Sequence, residues 1–159
     1  GYPNGFETTL KLPPPSYARR GGEIIAAQLR AVGIKAEISN LEWADWLKQV
    51  FKGKDYGLTI VSHTEPMDIG IYARPTYYFQ YDNPDFQQLM ADLTAESDPS
   101  SRSAMLKKAQ RIISEDYVNG YLFQLARTSV INSKIKIFND LIIQPINSLV
   151  KTLSRPLKI

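Results

Sequence analysis

At 159 residues, 43% hydrophobic and 22% charged, the chain has ordinary globular composition and enough length for one core. It has no cysteine, which excludes disulfides, thiol nucleophiles, thiolate zinc sites and iron–sulfur clusters, and its single histidine, His63, excludes a multi-histidine metal site. The net charge of +3 is uneven, with +4 on the last 26 residues and −1 on the rest. Those lysines are scattered singly, which reads as a solvated face rather than a nucleic-acid footprint.

No run approaches the length of a membrane-spanning apolar segment. The opening Gly1-Tyr2-Pro3-Asn4-Gly5 has neither an initiator Met nor a signal pattern, so an excised or processed piece is expected. Leu10 and Leu12 alternate with polar neighbours as in a half-buried strand, which Pro13-Pro14-Pro15 should end. Ser16 is the expected N-cap of a helix running to Val32, with Ile24, Ile25, Leu29 and Val32 as its apolar positions. Gly21-Gly22 fits no phosphate-loop pattern, and the helix is expected to begin after these glycines or to fray there. Gly33 suits a left-handed C-cap.

Ile34–Asn40 reads as a second strand, Glu42–Lys52 as an amphipathic helix anchored by Trp43 and Trp46, and Leu58–Ser62 as a third strand. Strand, helix, strand, helix, strand implies a parallel sheet with right-handed crossovers. Asn83 before Pro84, and Asp98 before Pro99, predict two capped helices, the second running to about Tyr117 and ended by Asn119-Gly120. Tyr121–Leu125, Thr128–Asn132 and Phe138–Ile143 read as strand material, and Gln144–Ile159 as weakly extended.

Several of these stretches together resemble a known family. Gly22–Ile38 is similar to an "AExIQxQLKxIGIKVEI" segment of extracytoplasmic solute-binding proteins of the peptide- and nickel-binding class, which serve ABC importers. The following tryptophan helix is matched by Trp43 and Trp46, a "YD" turn by Asp55-Tyr56 in reversed order, and an acidic-proline strand end by Glu65-Pro66. An "N-P-x-[FY]-x-x-L" helix is matched by Asn83, Pro84, Phe86 and Leu89. A final helix of "D-x-x-x-R" type ending in "A-Q-x-I-I" is matched by Asp98, Arg102, Ala109, Gln110, Ile112 and Ile113. The opening Gly1–Phe6 resembles the family's "GYPNGF". The matches run in order along nearly the whole chain.

The resemblance implies an α/β, periplasmic-binding-protein-like lobe of type II, with a central, mostly parallel sheet flanked by helices. Residues 1–145 would form the carboxy-terminal lobe of a two-lobed protein, lacking its first helix, and 146–159 a segment returning to the missing amino-terminal lobe. It implies a periplasmic location and capture of a peptide, or another small polar solute, between lobes that close by hinge motion. ABC permease subunits would be the membrane partners, with no cofactor, metal or nucleic acid. The loop after the third strand would contribute to the cleft, where a carboxylate, Glu65 or Asp68, would meet a peptide's α-amino group.

On the residues themselves, His63, Thr64, Glu65, Asp68, Tyr72, Arg74, Tyr77 and Tyr78 are the candidate ligand contacts. Arg74 fits a ligand carboxylate, and the tyrosines fit aromatic walls or a core under the loop. A hydrolase using Glu65 and Asp68 is the alternative. Ser62 and His63 are adjacent on an extended segment and point to opposite faces, which disfavours a nucleophile–base pair, and there is no G-x-S-x-G elbow.

Overall fold

The computed structural model describes residues 2–63 and 68–124. The chain divides into two compact units, Gly1–Asn119 and Gly120–Ile159. In the second, residues 121–124 adopt no regular structure, and the expected strands beyond them lie outside the described residues.

The first unit is built on strands β1 (Phe6–Leu12), β2 (Ile34–Asn40) and β3 (Leu58–Thr59), in spatial order β2-β1-β3 and all parallel. Phe6 pairs with Ile34 and Leu12 with Asn40 on one side of β1, and Leu10 pairs with Leu58 on the other. β3 is shorter than the Leu58–Ser62 run suggests. The Thr59 hydroxyl donates to the Lys11 carbonyl at 2.7 Å, so a side chain occupies an acceptor on the central strand where the ladder stops.

Helix α1 (Ser16–Ala31) makes the crossover from β1 to β2. It differs from the sequence expectation in three ways. Ser16 is the first helical residue rather than the cap, because Pro15 occupies the cap position, without a side-chain cap. The helix does not wait for the glycines but runs through them. Ile24 and Val32 are exposed, and the buried positions are Ala18, Gly22 and Ala26. Small residues win that face because α1 lies close on β1: a Cβ at Gly22 would stand 2.3 Å from Leu12 Cδ1. Leu10, Leu12, Ala26 and Ala36 form this core, with Leu29, Ile38 and Ile60 around it. Gly33 takes φ +85° at the end of α1, as its position suggests, and its carbonyl receives the N–H of Phe6 at 3.2 Å.

By strand alternation, Lys11 and Thr59 face the opposite side of the sheet from Leu10 and Leu12. That side is covered by α2 (Trp43–Trp46), which continues as a π-helical segment, Leu47–Lys52. Trp46 Nε1 donates to the Thr59 hydroxyl at 3.0 Å, and Lys11 Nζ donates to Gln49 at 3.1 Å and to Asp55 at 2.9 Å. Trp46 is therefore a core anchor as expected, whereas Trp43 is 43% exposed and packs edge-on against it.

A 3₁₀ segment (Asp68–Ala73) leads through a tyrosine-rich turn to α3 (Pro84–Ala95) and α4 (Pro99–Glu115). Both caps expected from sequence are present. Asn83 Oδ1 accepts the Phe86 N–H at 3.0 Å, and Asp98 Oδ2 accepts the Ser101 N–H at 2.7 Å. One turn into α4, Arg102 donates to the carbonyls of Leu93 and Glu96 at 2.6 and 2.8 Å, closing the end of α3. α4 stops at Glu115, before Asn119-Gly120, because Tyr117 turns left-handed with φ +51°. Phe86, Leu89, Ala109 and Ile113 bury against Ile71 and Tyr72 in a second core.

Candidate functional site

In a parallel sheet all carboxyl ends lie at one edge, and ligands collect where the strand order reverses. Here the chain moves from β1 to β2 on one side and then to β3 on the other, so the reversal lies between β1 and β3. The β1 exit is Pro13–Pro15, leading into Tyr17 on the first turn of α1. The β3 exit is Val61–His63. The two exits are joined directly: the backbone N–H of Ser62 donates to the Tyr17 hydroxyl oxygen at 3.0 Å.

His63 turns away from Ser62 into an aromatic cluster. Its Nε2 is 2.7 Å from the Tyr78 hydroxyl, and its ring lies nearly parallel to that of Tyr78, 11° apart in plane. Its Nδ1 is 3.8 Å from Asp68 Oδ1. Tyr78 is 3% exposed, forms a third core with Trp46 and Val50, and receives the Tyr56 O–H on its carbonyl at 2.7 Å. Burial first, then the neighbouring Tyr77, pushes the Tyr78 phenol far above its ordinary range. Burial raises Tyr56 as well. Tyr78 is therefore a neutral hydrogen-bonding phenol, the reverse of an activated nucleophile.

The structure thus brings His63, Asp68, Tyr77 and Tyr78 together. Tyr77 is half-buried and packs against Phe51 and Phe79, with ring centroids 5.8 and 4.9 Å away. Tyr72 belongs to the second core, where Asn119 donates to its hydroxyl at 2.7 Å. Tyr72 and Tyr78 are the tyrosines that pack beneath the loop. Arg74 is exposed, and no described residue pairs with its guanidinium. Thr64 and Glu65 lie outside the described residues. Sequence reasoning missed Tyr17 and Tyr56; the one available signal was the place of Tyr17 directly after the prolines that end β1. Among the described residues no cluster of metal-ligating side chains occurs, and no helix is long and apolar enough to cross a membrane.

No protein-family model matches the sequence, and no curated protein matches it. Solved structures do. The ABC transporter-associated periplasmic binding protein DppA from Helicobacter pylori, in complex with the peptide STSA, is similar with a TM-score of 0.61 and 26% identity over 74% of this chain. The oligopeptide-binding protein AppA from Bacillus subtilis, in complex with a nonapeptide, aligns with a TM-score of 0.63 and 22% identity over 71% of this chain. A nickel ABC transporter structure from Bacillus halodurans aligns with a TM-score of 0.58 and 17% identity over 70%. The chain has the fold of these periplasmic binding proteins. It spans 25%, 24% and 25% of the length of those three proteins, so it corresponds to about a quarter of each. The neighbours of this periplasmic-binding-protein fold are binding proteins rather than enzymes.

Proposed function

We propose that the chain is the carboxy-terminal lobe of the substrate-binding component of an ABC importer for oligopeptides or dipeptides. Residues 1–145 make up the lobe and 146–159 return to the amino-terminal lobe. The observation that carries this reading is the likeness to peptide-holding binding proteins, combined with the strand-order reversal between β1 and β3, where Tyr17 joins the two strand exits. The mechanism is reversible capture: a peptide enters between the lobes, the lobes close, and the closed form is presented to a permease outside the cytoplasmic membrane.

Asp68 on the 3₁₀ segment and Glu65 are the candidate partners of a peptide's α-amino group, and Arg74 of its carboxylate. The hydrolase alternative that uses Glu65 and Asp68 gains no support from the neighbours, which are named as binding proteins. One lobe offers half the contacts and none of the closure, so it binds more weakly than the whole protein.

Mass spectrometry of what co-purifies with the full-length protein tests this reading, together with thermal melts against that ligand. Stabilisation by an unaltered peptide is expected; cleavage of the peptide on incubation would sink it. Glu65→Gln is expected to weaken binding of free-amino peptides more than of amino-acetylated ones, and equal effects would remove the amino-anchor role.

A further inference from the structure

We propose that Tyr17 is a ligand-recognition residue at the strand-order reversal between β1 and β3, its phenolic O–H donating to a carbonyl or carboxylate oxygen of the bound peptide. The inference deepens the peptide-binding reading and rests on it. Tyr17 stands where the strand order reverses, on the turn leaving β1, and its hydroxyl oxygen holds the Ser62 N–H at the β3 exit. It is the one side chain seen to bridge the two exits among the described residues.

A phenol that accepts one hydrogen bond still carries a proton to donate. Among the described residues none accepts that proton from Tyr17. The group is also held and reachable at once, since Tyr17 is half-buried while Ser62 is exposed. The bond from Ser62 fixes the hydroxyl before any ligand arrives, so little ordering is left for binding to impose. α1 begins here with Pro15 at its cap position and no side-chain cap. Its amino end therefore adds a positive field that favours an oxygen carrying negative charge. By contrast, the hydroxyls of Tyr72 and Tyr78 are engaged within the fold by Asn119 and His63.

The test is an amide-resolved NMR titration of the full-length protein with the dipeptide Met-Leu, run beside the same titration of Tyr17→Phe. In the wild type the Ser62 amide is expected to shift and saturate. Tyr17→Phe keeps the ring and removes the hydroxyl, and its Kd is expected to rise about tenfold, the scale of one hydrogen bond. Equal Kd values for the two proteins would overturn the role of Tyr17 and leave the peptide reading standing. A wild-type spectrum in which no amide moves would overturn the peptide reading, and the assignment of Tyr17 with it.

Discussion

Tyr81 and Asp116 show how single side chains tie the helical half of the fold together. The Tyr81 phenol donates to Asp116 Oδ2, and Asn83, which caps α3, donates to the same oxygen at 2.8 Å. Burial and that bond push Tyr81 up to about 12, while the bonds from Tyr81 and Asn83 hold Asp116 below its usual range. The signs follow from linkage. Asp116 adds stability above its unfolded pKa, near 4, and that stability is lost as pH falls through its lower folded value. Tyr81 adds stability below its unfolded pKa, near 10, and that stability is lost as pH rises through about 12. Tyr81→Phe should therefore flatten both flanks of a plot of urea midpoint against pH, whereas Asp116→Asn should flatten chiefly the acid flank. Unchanged flanks in Tyr81→Phe would refute the linkage. Tyr78→Phe removes only the bond to His63 and should cost about 0.5–1.5 kcal/mol in urea unfolding.

Among the elements, α1 is set by its smallest residue. Gly22 lets α1 settle on Leu12, and in Gly22→Ala the new methyl meets Cδ1 of a side chain with no room to move. Such overpacking is expected to cost about 1–3 kcal/mol, read as a lower thermal midpoint with circular dichroism otherwise native. The hairpin of α3 and α4 depends on reciprocal closure: Asn83 opens α3, Arg102 closes it from α4, and Asp98 opens α4. Asn83→Ala should cost about 1 kcal/mol. Arg102→Ala should expose the last turn of α3 to amide exchange, whereas Asp98→Ala should affect the first turn of α4. The π-helical segment has a different consequence. Val50 is fully buried there while Leu47 and Phe51 stay partly exposed, and the Phe51 ring reaches both Tyr77 and Tyr78.

For the whole molecule, the parallel order and both Pro-led helices were legible because their signals are local: proline after a cap, glycine after a helix, alternation within a strand. The buried face of α1 was legible only in part: Leu29 packs on the core as expected, whereas Ile24 and Val32 do not. Ile24 and Val32 are the larger apolar residues, yet the distance of closest approach between α1 and β1 decides which side turns inward, and that distance is a tertiary quantity. The full extent of β3 was misread for a related reason, since the Thr59 hydroxyl competes with the backbone for the Lys11 carbonyl. Of the candidate site, His63 and Asp68 could be proposed from sequence as polar residues following an apolar strand. The bridge from Tyr17 to Ser62 joins positions 45 apart in sequence, and no periodicity carries that information. If the proposed function holds, peptide at 100 times its Kd should stabilise the full-length protein by about 2.7 kcal/mol; a melt unmoved by peptide at that excess would contradict capture.

The edge-on contact between Trp46 and Tyr78, with ring centroids 5.8 Å apart, sets a buried fluorophore directly against His63's hydrogen-bond partner. With only two tryptophans in the chain, Trp43→Phe leaves Trp46 as the sole long-wavelength emitter. The fold then carries its own optical gauge: a rearrangement of the His63–Tyr78 pair should register as a change in Trp46 emission, with no dye attached.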